Sequence, residues 1–144
     1  MDKMNFGERL QIARKARGMT QKELGLEMHY PYKSADVRIA QYENSMRVPG
    51  DETVDELASA LSVSAKALKG PEDYSPADVM RILFEMEEQG YRVEIRRINN
   101  EVFVQIHSEK LTGMLLEWRK VQNKLKMEKL SQKEYLTWKL CWEK

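Results

Sequence analysis

In the first seventy residues, apolar side chains recur three and four positions apart in short runs separated by brief turns. That spacing places them on one face of a helix. Phe6, Leu10, Ile12 and Ala13 predict a first helix from about Asn5 to Ala16, stopped at Gly18. Thr20 opens a second helix, because its hydroxyl can accept from backbone N–H groups of the first turn, and Glu23 three positions on completes a capping box. In "SADVRIAQYEN" (residues 34–44), Ala35, Ile39 and Tyr42 share the inner face of a third helix starting at Ser34 or Ala35. Val54, Leu57, Ala58 and Leu61 mark a fourth helix, and "SAKAL" after Ser64 a short fifth.

The pattern changes after "KGPEDYSP", whose Gly and Pro break any helix running through it. Ser75 with Asp78, and Pro76 at the first helical position, open a new helix whose stripe of Val79, Ile82, Leu83 and Met86 is expected to be buried. Then "YRVEIRRI" and "EVFVQIH" alternate around Asn99-Asn100, a two-residue hairpin turn. A long helix follows, roughly Glu109 to Glu128, with Leu111, Leu115, Trp118 and Leu125 at helical spacing. Ser131 and Glu134 cap a last one carrying Tyr135, Trp138 and Trp142. The fold class expected is mainly α. Residues 1–70 form a five-helix domain and 71–75 a linker, and residues 76–144 make a small α+β domain of helix, β-hairpin and two helices.

Composition narrows the classes. A hydrophobic content of 42% with 33% charge excludes disorder, and no apolar run is long enough to span a membrane. The N-terminus lacks the apolar segment of a signal peptide, and a single cysteine, Cys141, fits a reducing compartment. A cytoplasmic protein is expected. The net charge of +1 announces no nucleic-acid partner. Residues 1–47 carry nine Lys/Arg against six Asp/Glu, and residues 71–144 thirteen of each, so charge alone says little.

Three blocks carry a resemblance: "RLQIARKARGMTQKELGLEM", "VRIAQYENSMRVP" and "ELASALSVSAKAL". In this order they resemble the DNA-binding domain of the lambda-repressor-like (Cro/repressor, XRE) helix-turn-helix transcriptional regulators, over about residues 5–70. The closest flavour is that of regulators from Gram-positive bacteria and mobile elements, so a bacterial or phage-encoded chain is expected. The resemblance implies a double-stranded DNA operator as partner, a homodimer, and a third helix lying in the major groove. Carried onto this chain, it makes Asp36, Val37 and Gln41 base-contacting, with Arg38 beside them. Gln suits adenine, Val a thymine methyl, Asp cytosine N4, and Arg guanine or phosphate. It assigns Thr20, Gln21 and Asn44 to DNA phosphates, and Arg14 with Glu43 to a structural ion pair. The turn "HYPYKSAD" is longer than the family's usual one and brings Tyr32 and Lys33 toward the DNA backbone. Ser45 stands where relatives often carry Gly.

The C-terminal half carries no known chemistry and reads as a dimerisation or partner-binding domain, with Trp118, Trp138 and Trp142 as interface or core. Its rival role is to bind and inhibit a partner protein, in the manner of an anti-CRISPR protein or antitoxin, leaving the headpiece for autoregulation. No enzyme is expected, since no nucleophile, metal or phosphate-loop constellation occurs. His29 and His107 lie far apart without ligand-spaced partners, so neither a metal nor any other cofactor is expected. Cys141 reads as an inert thiol, Glu85, Glu87 and Glu88 as a solvated helix face, and the nine Met as core filler. Arg96 and Arg97 fall on opposite faces of a strand and read as surface charge.

Overall fold

The computed structural model describes residues 3–142. Among them run eight helices and two strands: α1 (Phe6–Ala16), α2 (Gln21–Glu27), α3 (Ala35–Glu43), α4 (Asp51–Leu61), α5 (Ala65–Lys69), α6 (Pro76–Glu88), β1 (Arg92–Ile98), β2 (Glu101–His107), α7 (Glu109–Lys126) and α8 (Gln132–Leu140). The chain is mainly helical, with the five predicted N-terminal helices followed by a helix, a hairpin and two helices.

Two compact units emerge, one of Met1–Pro71 with Ser131–Lys144 and one of Glu72–Leu130. Local chemistry sets the ends of the helices in the first. Asn5 caps α1 in a capping box with Glu8, and Thr20 does the same for α2 with Glu23. Ser64 accepts from the Ala67 N–H at the start of α5. At the far end of α4 the Arg17 guanidinium donates to the carbonyls of Leu61 (2.6 Å) and Ser62 (2.7 Å), which α4 leaves without helical partners. The inner faces converge on Leu10, Leu24, Ile39, Leu57, Leu61 and Leu68, all fully buried. Burying a side chain of this size stabilises by roughly 1.5–3 kcal/mol before entropy is counted.

The last helix differs from the sequence reading. Residues 76–144 were expected in one C-terminal domain, but α8 packs on α1 and α5, and its Leu140 joins the core of the N-terminal helices. Periodicity shows that α8 has an apolar side without saying which surface receives it. Trp138 and Trp142 travel with it. The Tyr135 and Trp138 rings stack at 6.5 Å, and Trp142 lies 6.4 Å from Trp138. Cys141 packs half-buried against the same core.

The unit Glu72–Leu130 has the predicted local chemistry. Ser75 and Asp78 close a capping box over α6 with Pro76 in its first turn, and Asn99 takes the positive φ (57°) that turns β1 into β2. The strands pair Val93 with Ile106, Ile95 with Val104 and Arg97 with Val102, so these side chains share one face. Arg92, Glu94, Arg96, Phe103 and His107 occupy the other, where Glu94 meets Arg92 at 2.6 Å and His107 at 3.1 Å. The expected burial of the α6 stripe is not found. Val79 and Ile82 are exposed, Leu83 and Met86 only partly covered, and no residue of this unit is buried. The reason is geometric: within this unit α6 packs on β1 and α7 on β2, and that packing encloses no side chain among the described residues.

Candidate nucleic-acid interface

The presentation of α3 depends on its two close approaches to neighbouring helices. A Cβ built on Gly25 of α2 would sit 2.3 Å from the Ala35 carbonyl oxygen, and one on Gly7 of α1 would sit 2.3 Å from that of Glu43. Only hydrogen fits at either place, so α3 is gripped at its first and last residues by glycines of different helices. The sequence reading missed both. Their signal was a glycine inside an amphipathic helix, where propensity alone disfavours it by about 1 kcal/mol.

A buried polar network adds to this grip. Arg14 Nε donates to Glu43 Oε1 at 2.5 Å and a second guanidinium nitrogen reaches Oε2 at 3.1 Å, giving a two-pronged ion pair between α1 and α3. Both side chains are almost completely covered. Gln21 Nε2 donates to the same carboxylate at 3.0 Å and Gln11 Nε2 at 3.5 Å, while Arg14 also donates to the Met19 carbonyl at 2.7 Å. Taking two charges out of water offsets most of their attraction, so such a network specifies orientation more than it adds stability. It also joins the start of α2 to the end of α3. Thr20 and Gln21 therefore share an edge with Asn44, the residue that closes α3.

Thr20 is occupied as a cap: its hydroxyl oxygen accepts from the Glu23 N–H at 3.1 Å, and Glu23 accepts from the Thr20 N–H at 2.6 Å. Those bonds hold the Glu23 carboxyl below the ordinary carboxylate range, the backbone bond contributing most. Ser34 behaves differently at the start of α3. Its side chain makes no cap bond and donates instead to the Pro31 carbonyl at 3.4 Å.

The long turn between α2 and α3 is pinned by aromatic rings. Lys22 Nζ lies 3.7 Å from the centre of the Tyr32 ring, and the Arg38 guanidinium 5.1 Å from that of Tyr30. Such cation–ring contacts contribute about 0.5–1 kcal/mol at exposed sites. The Tyr30 hydroxyl lies 3.5 Å from that of Tyr42, and burial first, then this bond, push it well above the usual phenol range. Tyr30 and Lys22 were not among the sequence candidates, though the two tyrosines of "HYPYK" were a legible hint.

Of the side chains expected at bases, Val37 is 50% exposed, while Asp36, Arg38 and Gln41 are half-covered. The Gln41 carbonyl accepts from the N–H groups of Met46 (2.9 Å) and Arg47 (3.2 Å), closing the helix in a turn in which Ser45 adopts φ 58°. Tyr32, Lys33 and Asn44 are exposed. Asp36, Val37 and Tyr32 belong to the leading end of α3 and its turn, and Asn44, Thr20 and Gln21 to the trailing end. Among the described residues, no group of three His, Cys, Asp or Glu is placed to hold a metal ion.

A helix-turn-helix family model matches residues 10–68, which spans α2, α3 and the glycine-clamped approach between α2 and α3. Residues 10–68 belong to the helix-turn-helix family. The crystal structure of the transcriptional regulator BswR is 31% identical, covers 60% of this chain and 94% of that one, and superposes with a TM-score of 0.45. No curated protein matches the chain. None of the helices described is long and apolar enough to cross a membrane.

Proposed function

We propose that this helix-turn-helix protein is a sequence-specific DNA-binding transcriptional regulator, a repressor, that lays α3 in the major groove of its operator. The observation that carries the reading is the rigid seat of α3. Glycine contacts at both ends and the buried Arg14–Glu43 pair hold its inner face, so the outer face is presented at one angle. Gln41 reads adenine, Val37 packs on a thymine methyl, and Asp36 accepts from cytosine N4. Arg38, held beside Tyr30, reaches guanine or phosphate from the same edge. Thr20, Gln21 and Asn44 meet phosphates at the trailing end, Tyr32 and Lys33 at the leading end, and these contacts set register without reading sequence. Gln21 has a second role, because its amide bond to Glu43 ties the phosphate-binding edge to the recognition helix. The protein works as a homodimer, since half-sites a helical turn apart call for a two-fold protein.

Selection of binding sites from random duplexes, followed by affinities across a salt series, tests this reading. The expected result is a two-fold symmetric site whose affinity falls steeply with salt. Gln41→Ala should relax the preference at one base position, a loss of about 1–3 kcal/mol there. Binding with no preferred sequence would overturn the proposal.

A further inference from the structure

The unit with the buried leucines also carries the two most exposed large apolar side chains among the described residues. Met46 is 78% exposed and Val48 85%. One exposed apolar residue is ordinary on a protein surface. These two stand on either side of Arg47, itself exposed, in the turn between α3 and α4. The turn is braced on the helix before it. The Gln41 carbonyl accepts from the N–H groups of both Met46 and Arg47, and Ser45 takes a left-handed φ that lets the chain double back. Met46, Arg47 and Val48 are therefore carried by the trailing end of α3, beyond Asn44. The acids nearest along the chain are engaged, Glu43 by Arg14 and Asp51 by Lys69, so the tip is cationic at its centre and apolar at its sides.

What such a tip would meet follows from lengths. α3 has nine residues and is roughly 13 Å long, close to the width of the major groove. With its leading end at base edges, its trailing end stands at the sugar–phosphate wall, and the turn beyond it faces the neighbouring minor groove. Phosphates on that wall offer nothing to two apolar side chains. The minor groove does, because its walls are the carbon-rich faces of deoxyribose. Its floor over A·T pairs also has a negative potential that draws in a guanidinium.

We propose that Met46, Arg47 and Val48 form a second DNA-reading element, which enters the minor groove flanking the pairs read by α3. Arg47 lies over A·T pairs, and Met46 and Val48 pack against the sugars on either side of it. The inference rests on the DNA-binding reading above and deepens it. The outer face of α3 reads base edges in the major groove, whereas this tip reads groove width and the lack of the guanine 2-amino group. The operator is thereby extended by an A·T-rich flank beside the pairs that α3 contacts.

The test changes the DNA first and the protein second. In an operator selected by the full chain, the A·T pairs of the flank are replaced by inosine·cytosine or by guanine·cytosine. These two pairs are alike in the major groove and differ in the minor groove, where only guanine carries the 2-amino group. The wild type should bind the inosine duplex as tightly as the original and the guanine duplex roughly tenfold more weakly. Arg47→Ala should bind the inosine and guanine duplexes equally, and Met46→Ser with Val48→Ser should weaken binding to the original. All three side chains are exposed, so neither variant disturbs a core, and an unchanged unfolding midpoint checks this. Equal wild-type affinity for the inosine and guanine duplexes overturns the proposal, as does a selected flank of G·C pairs. So does discrimination that survives Arg47→Ala, or a Met46→Ser, Val48→Ser protein that binds like the wild type. A site selected at the α3 positions with an indifferent flank overturns the minor-groove element alone, whereas no preference at any position removes the DNA-reading proposal with it.

Discussion

The two units are written in the same amphipathic grammar and do opposite things with it. Leu10, Leu24, Ile39, Leu57, Leu61 and Leu68 of the first unit are fully buried, whereas Val79, Ile82 and Leu115 of the second, at equally regular spacing, are exposed. Both units have well-capped helices, with Thr20–Glu23 in one and Ser75–Asp78 in the other. The difference lies in what the chain supplies to cover each face. In the first unit α3 is enclosed by α1 and α2, and α8 is brought back to the same core. In the second, α6 meets β1 and α7 meets β2, and none of its described residues is buried. An apolar stripe therefore predicts that a surface wants a cover, and says nothing of where the cover comes from.

Four measurements break or sharpen that contrast. The largest effect should come from Arg14→Met, which strands the buried Glu43 carboxylate. We expect a loss of about 3–5 kcal/mol in denaturant unfolding, with the headpiece affected first. The next compares two leucines. Leu140 is 3% exposed and Leu116 50% exposed. Leu140→Ala should cost about 2–5 kcal/mol, while Leu116→Ala in a dilute, monomeric sample should stay within about 0.5 kcal/mol. Equal losses would mean that α7 is as well covered as α8. Gly25→Ala ranks third. Its new methyl group would meet the Ala35 carbonyl, forcing α2 and α3 apart at a cost of about 1–3 kcal/mol. Operator affinity should fall by more than the stability loss explains, because the angle of α3 changes. The smallest effect has the opposite sign. Ser45→Gly relieves a left-handed residue in the turn after α3 and should stabilise by roughly 1 kcal/mol, read as a higher unfolding midpoint.

The local architecture was legible because its causes are local. Caps at Thr20, Ser75 and Ser131 act over three residues, Asn99 turns a hairpin by its own φ, and Ser45, where relatives often carry Gly, takes a left-handed φ of 58°. The pairing of Arg14 with Glu43 was anticipated through resemblance, since nothing in twenty-nine residues of separation makes it readable from spacing. Gly7 and Gly25 were passed over for a related reason. A glycine announces missing bulk, but only the neighbouring backbone, 2.3 Å from the absent Cβ, shows why bulk is excluded. Tyr30 and Lys22 escaped because ring contacts across a turn depend on the path of that turn.

By itself, then, the sequence determined where helices and strands begin and end, and which face of each is apolar. These depend on interactions within about one helical turn or one hairpin. Only the tertiary structure decided that α8 returns to the first core, that α3 is seated on two glycines, and that no described residue of the second unit is buried. Burial is a relation between segments far apart in the chain. It is settled by how shapes fit at atomic contact, and periodicity carries no record of shape.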